Sequence, residues 1–406
     1  MFTHQFFDIL LNLNHNWQVY DVDANYKEGD VIIKIKYIGK EVECPITYDT
    51  YKIYDHAPER IWRHLDTMQY KTYISCSLPR FKNNTGKVIT SVPPWASKNE
   101  RHTHLFEIAV IDLLKASKNQ TKTAEIMRCG FNVVNRIMHI STERGLSRRN
   151  FTELEFEHLS IDEKSFKKGH KYISVLSHPR SGYIIDVEED RTKIAVTKLI
   201  DKSLTKEQQK KVTTISMDMW KAYMTACKDK LPNAERVHDR FHLIKYLNDA
   251  IDKVRRREVK INERLIDSRW ALLKNKNNHT EKQRIKFEAI KNANYEVSRA
   301  WQVRENFKDL FNKEDNKEDA FKLFMRWIKS SKDFKIREIT KVAEMFKTHF
   351  WGVVNALITT FNNAMAERLN GKIQEIKTVG RGYRTFKNFR SAILFFHGGL
   401  SLYPLN

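Results

Sequence analysis

Between Leu159 and His238 the spacing of apolar residues switches repeatedly between the two-residue and the 3.6-residue period, and a chain that does this must build a layered α/β unit. Leu159-Ser160-Ile161-Asp162 reads as the end of a strand. Residues 172–177 and 183–187 read as a hairpin across Pro179-Arg180-Ser181-Gly182. A polar helix is expected over 192–211, a buried strand over 213–219, a helix over 220–230 and a last strand at Arg236-Val237-His238.

Three strands, a helix, then strand–helix–strand is the order of a ribonuclease-H-like core. Residues 243–350 carry no strand signal and no proline and are rich in Lys and Arg, so an all-helical insertion is expected there. Residues 352–378 read as one further helix, and Gly380-Arg381-Gly382-Tyr383-Arg384 leads into an apolar C-terminal helix. Upstream, residues 1–58 read as a short helix and strands, with more strands over 59–97. Helical periodicity returns over 100–145. There a helix over 121–128, the break Cys129-Gly130-Phe131 and a helix over 132–140 make a helix-turn-helix pattern. In it Asn132, Asn135, Arg136 and His139 face DNA while Val133, Val134 and Ile137 pack inward; a plain helical hairpin is the alternative. The fold class expected is α+β and multidomain. A small N-terminal β-rich module (1–97) and a helix-turn-helix (98–150) precede an α/β core (151–250). The core is interrupted by the helical insertion (251–350) and completed by 351–406.

The formal net charge is +22, which favours a polyanionic partner because Lys and Arg displace condensed counterions from phosphates. Residues 1–58, with nine acids and five bases, are acidic, so the later segments should meet that partner. Cys44, Cys76, Cys129 and Cys227 form no C-x-x-C pair and fit reduced thiols. The apolar start lacks a basic leader, and no run of about 18 apolar residues suggests a membrane span. A cytoplasmic, nucleoid-associated protein is expected.

Two-metal phosphoryl transfer needs about three converging carboxylates around ions about 3.5–4 Å apart. Asp218, in Ile215-Ser216-Met217-Asp218-Met219-Trp220, is a lone acid among apolar residues, where an unpaired charge is costly; a surface-facing Asp is the alternative. Asp162 ends a strand beside Glu163, and alternation allows only one of the two into a site. Glu367 lies on an amide-rich helical stripe with Asn363, Asn370 and Gln374, opposite Met365, Leu369, Ile373 and Ile376; a solvated face is the alternative. Asp239 and His242, in an Asp-x-x-His pattern after a strand, are candidates to shape the site, or else make a structural hydrogen bond. Glu188, Glu189 and Asp190 read as solvated.

Ile161-Asp162-Glu163-Lys164-Ser165-Phe166 with Gly169-His170-Lys171-Tyr172, Ser216 to Trp220, Val237-His238-Asp239-Arg240-Phe241-His242, and Glu367-Arg368-Leu369-Asn370 with Gly382-Tyr383-Arg384 follow in order along the chain. Together they resemble the ISL-three family of insertion-sequence transposases. The resemblance implies a DDE triad at Asp162, Asp218 and Glu367, two Mg²⁺ or Mn²⁺ ions, and cleavage and strand transfer at terminal inverted repeats. It also implies double-stranded DNA as partner and a homodimer or higher oligomer on it. Arg255, Arg256, Arg257, Arg381 and Arg384 are candidate phosphate contacts. Family members typically carry a Cys-rich zinc module, but here Cys44-Pro45 is followed by Thr47 and Lys82-Asn83-Asn84-Thr85-Gly86 has no cysteine. His56 and Cys76 are poor substitutes, so no zinc is expected. A non-catalytic DNA-binding regulator derived from a transposase is the competing function.

Overall fold

The computed structural model describes residues 2–45, 47–149, 156–167, 169, 171–311, 313, 316–359 and 364–404, without the side chains of 2, 3, 276 and 364–367. The chain divides into two compact units. One comprises Met1–Arg149, Ile376–Tyr383 and Leu400–Asn406; the other comprises Asn150–Glu375 and Arg384–Gly399.

The first unit opens with α1 (Phe2–Leu10), β1 (Trp17–Asn25), β2 (Asp30–Tyr37), β3 (Glu41–Glu43), β4 (Thr50–His56), β5 (Arg60–Arg63), β6 (Lys71–Cys76), β7 (Pro79–Lys82) and β8 (Val88–Thr90). They form two four-stranded sheets, β1-β2-β6-β5 and β3-β4-β7-β8. Alternation in β2 sends Val31, Ile33 and Ile35 into a core with Trp17, Trp62, Ile74 and Trp95. Cys76 belongs to that core, whereas Cys44 is buried with Val42 and Phe81 in a separate cluster. Both thiols pack as small apolar groups, and burial pushes the Cys76 thiol up to about 12.

Three helices follow: α2 (His104–Ser117), α3 (Gln120–Ile126) and α4 (Phe131–Arg148). Thr103 caps α2 and Asn119 caps α3 through their side-chain oxygens. Val134 and Ile137 are fully buried and Val133 is half-buried. The left-handed residue of the α3–α4 turn is Arg128 (φ 52°), not Gly130. The Arg128 guanidinium donates to Asp66 (3.0 Å) and to the Gln69 carbonyl (2.7 Å), which anchors the turn.

In the second unit, β9 (His158–Lys167), β10 (Lys171–His178) and β11 (Tyr183–Glu189) precede α5 (Lys193–Ser203), α6 (Lys206–Lys211), β12 (Thr214–Met217), α7 (Lys221–Lys230) and β13 (Glu235–His238). One sheet results, ordered β11-β10-β9-β12-β13, antiparallel across the first three strands and parallel from β9 to β13. Leu159, Ile161, Ile185, Ile215 and Met217 bury one face of it against Val196, Leu199, Ile200 and Tyr223 of α5 and α7. The polar helix expected over 192–211 is two helices. Leu204 is extended, and Thr205 with Gln208 forms a capping box that restarts the chain as α6.

A helical assembly follows: α8 (Arg240–Val259), α9 (Arg269–Leu273), α10 (Glu281–Lys291), α11 (Glu296–Lys308), α12 (Lys317–Asp333), α13 (Arg337–Thr348) and α14 (Phe350–Ile358). It is closed by an apolar core that includes Leu247, Phe307, Phe324, Trp327 and Phe346. The last helices are α15 (Ala364–Val379) and α16 (Phe386–His397). The single helix expected over 352–378 is thus interrupted. Thr359 is extended, and the Arg240 guanidinium binds the Ala356 (3.0 Å) and Thr359 carbonyls, satisfying acceptors that a continuing helix would have used. Among the described residues no helix is long and apolar enough to cross a membrane.

Candidate active site

The sheet register decides which acids meet. Ser160 of β9 lies opposite Ser216 of β12, and Met217 of β12 lies opposite His238 of β13. Asp162 lies two residues beyond Ser160 on β9, while Asp218 and Asp239 follow directly on the last residues of β12 and β13, so the same registers carried past the strand ends put the three acids level. The sequence gap between Asp162 and Asp218 equals the register offset, so neither strand needs a bulge to align them.

Asp239 caps α8, its Oδ1 accepting from the Phe241 N–H (2.7 Å). That cap launches α8 with His242 on its first turn. His242 Nδ1 lies 3.4 Å from Asp218 Oδ2, and its Nε2 lies 3.9 Å from Asp162 Oδ1. The three side chains are each about one-fifth exposed (19%, 21% and 17% for Asp162, Asp218 and His242), so a solvated ligand reaches them without opening the core. Asp162 Oδ1 accepts from the Glu163 N–H (2.7 Å) and its Oδ2 from the Asn370 amide of α15. Asp218 Oδ1 accepts from the Met219 N–H (2.6 Å) and from the Tyr246 hydroxyl (3.4 Å). Burial, then the neighbouring Asp218 charge, pushes the Tyr246 phenol up to about 12, so it stays a donor at neutral pH.

Glu163 takes the other face. It pairs with Arg191 at 2.7 Å, and that guanidinium lies 4.2 Å from the Tyr172 ring centre and 4.6 Å from the Trp220 ring centre. The Trp220 indole donates to the Arg191 carbonyl (3.1 Å). Glu188, read from sequence as solvated, is buried instead and pairs with Lys198 (3.0 Å) and Lys202 (2.8 Å). Burial works against its ionisation, but the two ammonium groups hold its carboxyl below the usual range. Sequence reasoning missed Tyr246; its signal was the four-residue spacing from His242 on α8, which puts both on one helical face. Asn363 and the Glu367 side chain lie outside the described residues.

On α4, Asn132 and Arg136 are exposed while Asn135 and His139 are half-buried. Arg136 pairs with Glu100 at 3.0 Å, and the Asn135 Oδ1 is buried with no hydrogen-bond partner among the described residues. Arg255 (2.8 Å) and Arg256 (2.7 Å) both bind Asp252, and Arg257 ties α8 to Glu296 and Glu338, so this basic run is occupied within the helical assembly. Arg381 and Arg384 are exposed.

Residues 159–393 match a family model described as a transposase, of the DDE type of family ISL3, and residues 90–139 match the helix-turn-helix domain of transposase family ISL3. The chain belongs to the ISL3 transposase family. It is 25% identical over 358 residues to the transposase for insertion sequence element IS1557 of Mycobacterium tuberculosis strain H37Rv, covering 80% of this chain and 79% of the relative. It is 24% identical over 303 residues to the transposase for insertion sequence element IS1001 of Bordetella parapertussis, covering 73% of each. DDE transposases use divalent metal ions. Two carboxylates at one level on adjacent strands are oxygen donors that suit a hard cation, so this end of the ISL3 core fits one. Among the described residues no three ligands close on a single point.

Proposed function

We propose that this ISL3 transposase cuts DNA at terminal inverted repeats and joins the freed 3′-hydroxyl to target DNA, with Asp162, Asp218 and Glu367 as the catalytic, metal-holding carboxylates. The observation that carries this reading is His242 standing 3.4 Å from Asp218 and 3.9 Å from Asp162, with Asp162 on β9 and Asp218 directly after the parallel neighbour β12. Asp162, Asp218 and Glu367 would hold two Mg²⁺ or Mn²⁺ ions, whose Lewis acidity would favour the attacking and leaving oxygens. The chain's own task is orientation. Asn370 turns Asp162, Tyr246 turns Asp218, and His242 stands beside both carboxylates. No protein nucleophile is required.

The strand order β11-β10-β9-β12-β13, with the first three strands antiparallel, supports a ribonuclease-H-like core, and α8–α13 support a helical insertion before the segment carrying Glu367. The helix-turn-helix reads the repeats through the exposed side of α4: Asn132 and Arg136 first, with Asn135 and His139 beside them. Arg381 and Arg384 hold backbone phosphates, as do Arg255, Arg256 and Arg257 where their carboxylate partners yield. The working form on DNA is a homodimer or larger homo-oligomer, in the cytoplasm at the nucleoid, without structural zinc. The test is cleavage of a duplex carrying the element end. Asp218→Asn abolishes Mg²⁺-dependent cleavage and leaves end binding intact; cleavage retained by a folded Asp218→Asn protein rejects the assignment.

A further inference from the structure

A cavity of about 330 Å³ opens in the first unit between β5, β8 and residues 91–99. Its polar lining is one-signed: Arg60, Lys87 and Lys98 contribute cations, and no Asp or Glu lines it. Lys87 and Lys98 are exposed, and their ammonium groups have no carboxylate partner among the described residues. The Arg60 guanidinium lies 5.0 Å from the ring centre of buried Trp62 and gives one bond, 3.2 Å, to the Glu100 carbonyl, which leaves most of its donors open. Ser91 lines the same cavity, is 7% exposed, and its buried hydroxyl finds no hydrogen-bond partner among the described residues. A buried hydroxyl normally has a partner, and the described residues leave this one with unused hydrogen-bonding capacity. Ala57, Leu78, Val92 and Pro93 give the cavity an apolar side.

Three cations without a carboxylate, a spare hydroxyl and an apolar wall match a phosphodiester with its sugar. The wall is also continuous with the DNA reader, because the matched helix-turn-helix domain begins at residue 90 and Thr103 caps α2 just beyond the cavity. We infer that this cavity is a backbone-phosphate clamp, in which Arg60, Lys87, Lys98 and Ser91 grip a phosphodiester of the DNA that the helix-turn-helix engages. The acidic balance of residues 1–58 therefore does not exclude the N-terminal module from DNA; the contact falls in its later part. The inference rests on the DNA-binding half of the proposed function and is independent of the cleavage half.

The experiment is fluorescence anisotropy of a labelled duplex with the full chain over a series of KCl concentrations. Phosphate contacts each contribute about 0.9 to the slope of log K against log salt. Lys87→Gln with Lys98→Gln is expected to lower that slope by about 1.8, and Ser91→Ala to weaken binding without changing it. The control removes the same charge elsewhere in the module, at exposed Lys27 and Lys40. Equal slope changes in the two double variants, or an unchanged slope in the first, overturn the clamp. Calorimetric titration of the full chain and of the Lys87→Gln, Lys98→Gln variant with inorganic phosphate or a deoxynucleoside monophosphate separates the sources. Saturable micromolar binding of either overturns the DNA assignment in favour of a free anion. A wild-type protein that binds no duplex overturns the clamp together with the DNA-binding reading, whereas loss of the cleavage reading alone leaves it standing.

Discussion

The Asp218 carboxylate and the His242 imidazole stand 3.4 Å apart, although they come from different elements and only the Asp239 cap fixes where the second one starts. The same imidazole reaches Asp162 at 3.9 Å, so one ring is shared by two carboxylates that the sheet register has already aligned. Removing it leaves both acids in place but removes their common neighbour. His242→Ala is therefore expected to lower metal-dependent cleavage by about 10–100-fold, read as a rightward shift in a Mg²⁺ titration of rate, with end binding unchanged. An unaltered Mg²⁺ profile would count against a role for this ring.

Tyr246 makes a smaller contribution through a long hydrogen bond to Asp218. Losing one such bond costs about 1 kcal/mol, so Tyr246→Phe should slow cleavage by roughly fivefold while leaving the fold intact. A hundredfold loss would mean that the phenol touches the reacting groups directly.

Glu163 and Asp162 are chemically equivalent neighbours, and the structure gives them different partners. Glu163→Gln is expected to keep cleavage within a few-fold of wild type. Asp162→Asn should lose at least about a thousandfold, the rate equivalent of about 4 kcal/mol. Single-turnover cleavage of an end duplex measures both; the reverse order of effects would reassign the site to Glu163.

His64 predicts a stability change with pH. Burial, then the Arg63 charge, holds its imidazolium pKa down at about 4, against 6.5 when exposed. Its Nδ1 lies 2.9 Å from the Thr103 hydroxyl that caps α2. Because the folded pKa is the lower one, the unfolded chain binds more protons between these values, and stability falls as pH drops through 6.5 toward 4. From pH 7 to pH 5 the loss is about 2 kcal/mol for this group. Denaturation of the first unit, followed in urea at both pH values, should show that loss in wild type and a flatter response in His64→Asn.

Gly352 on α14 abuts the buried ring of His238, which also packs edge-on against His349. A methyl group there overlaps that ring. Gly352→Ala should cost about 1–3 kcal/mol through forced repacking, measurable as a lowered Tm, with little direct effect on DNA binding.

Much of this was legible in local sequence. A lone acid in an apolar stretch stands out without any fold, which is why Asp218 was visible just past β12, and the hairpin of β10 and β11 follows from two apolar runs separated by the turn from Pro179 to Gly182. The helix–break–helix pattern over 121–140 carried the helix-turn-helix, and the motifs from Ile161 onward carried the family. Helix breaks were harder: the stops at Leu204 and Thr359 depend on a capping box and on Arg240 arriving from another helix. Glu188 looked solvated because its two lysine partners, Lys198 and Lys202, lie on the next helix and alternation does not mark them.

By itself, then, the sequence determined which stretches are strand-rich and which helical, the surplus of positive charge and the family, because periodicity, composition and motifs are properties of neighbouring residues. It also determined that Asp162 and Glu163 must part company, since a strand sends adjacent side chains to opposite faces. Which of them joins Asp218 was decided only by tertiary structure. The pairing of β9 with β12, and the burial of the Leu159–Ile161 face under α5 and α7, leave Asp162 on the side where α8 presents His242 and Tyr246.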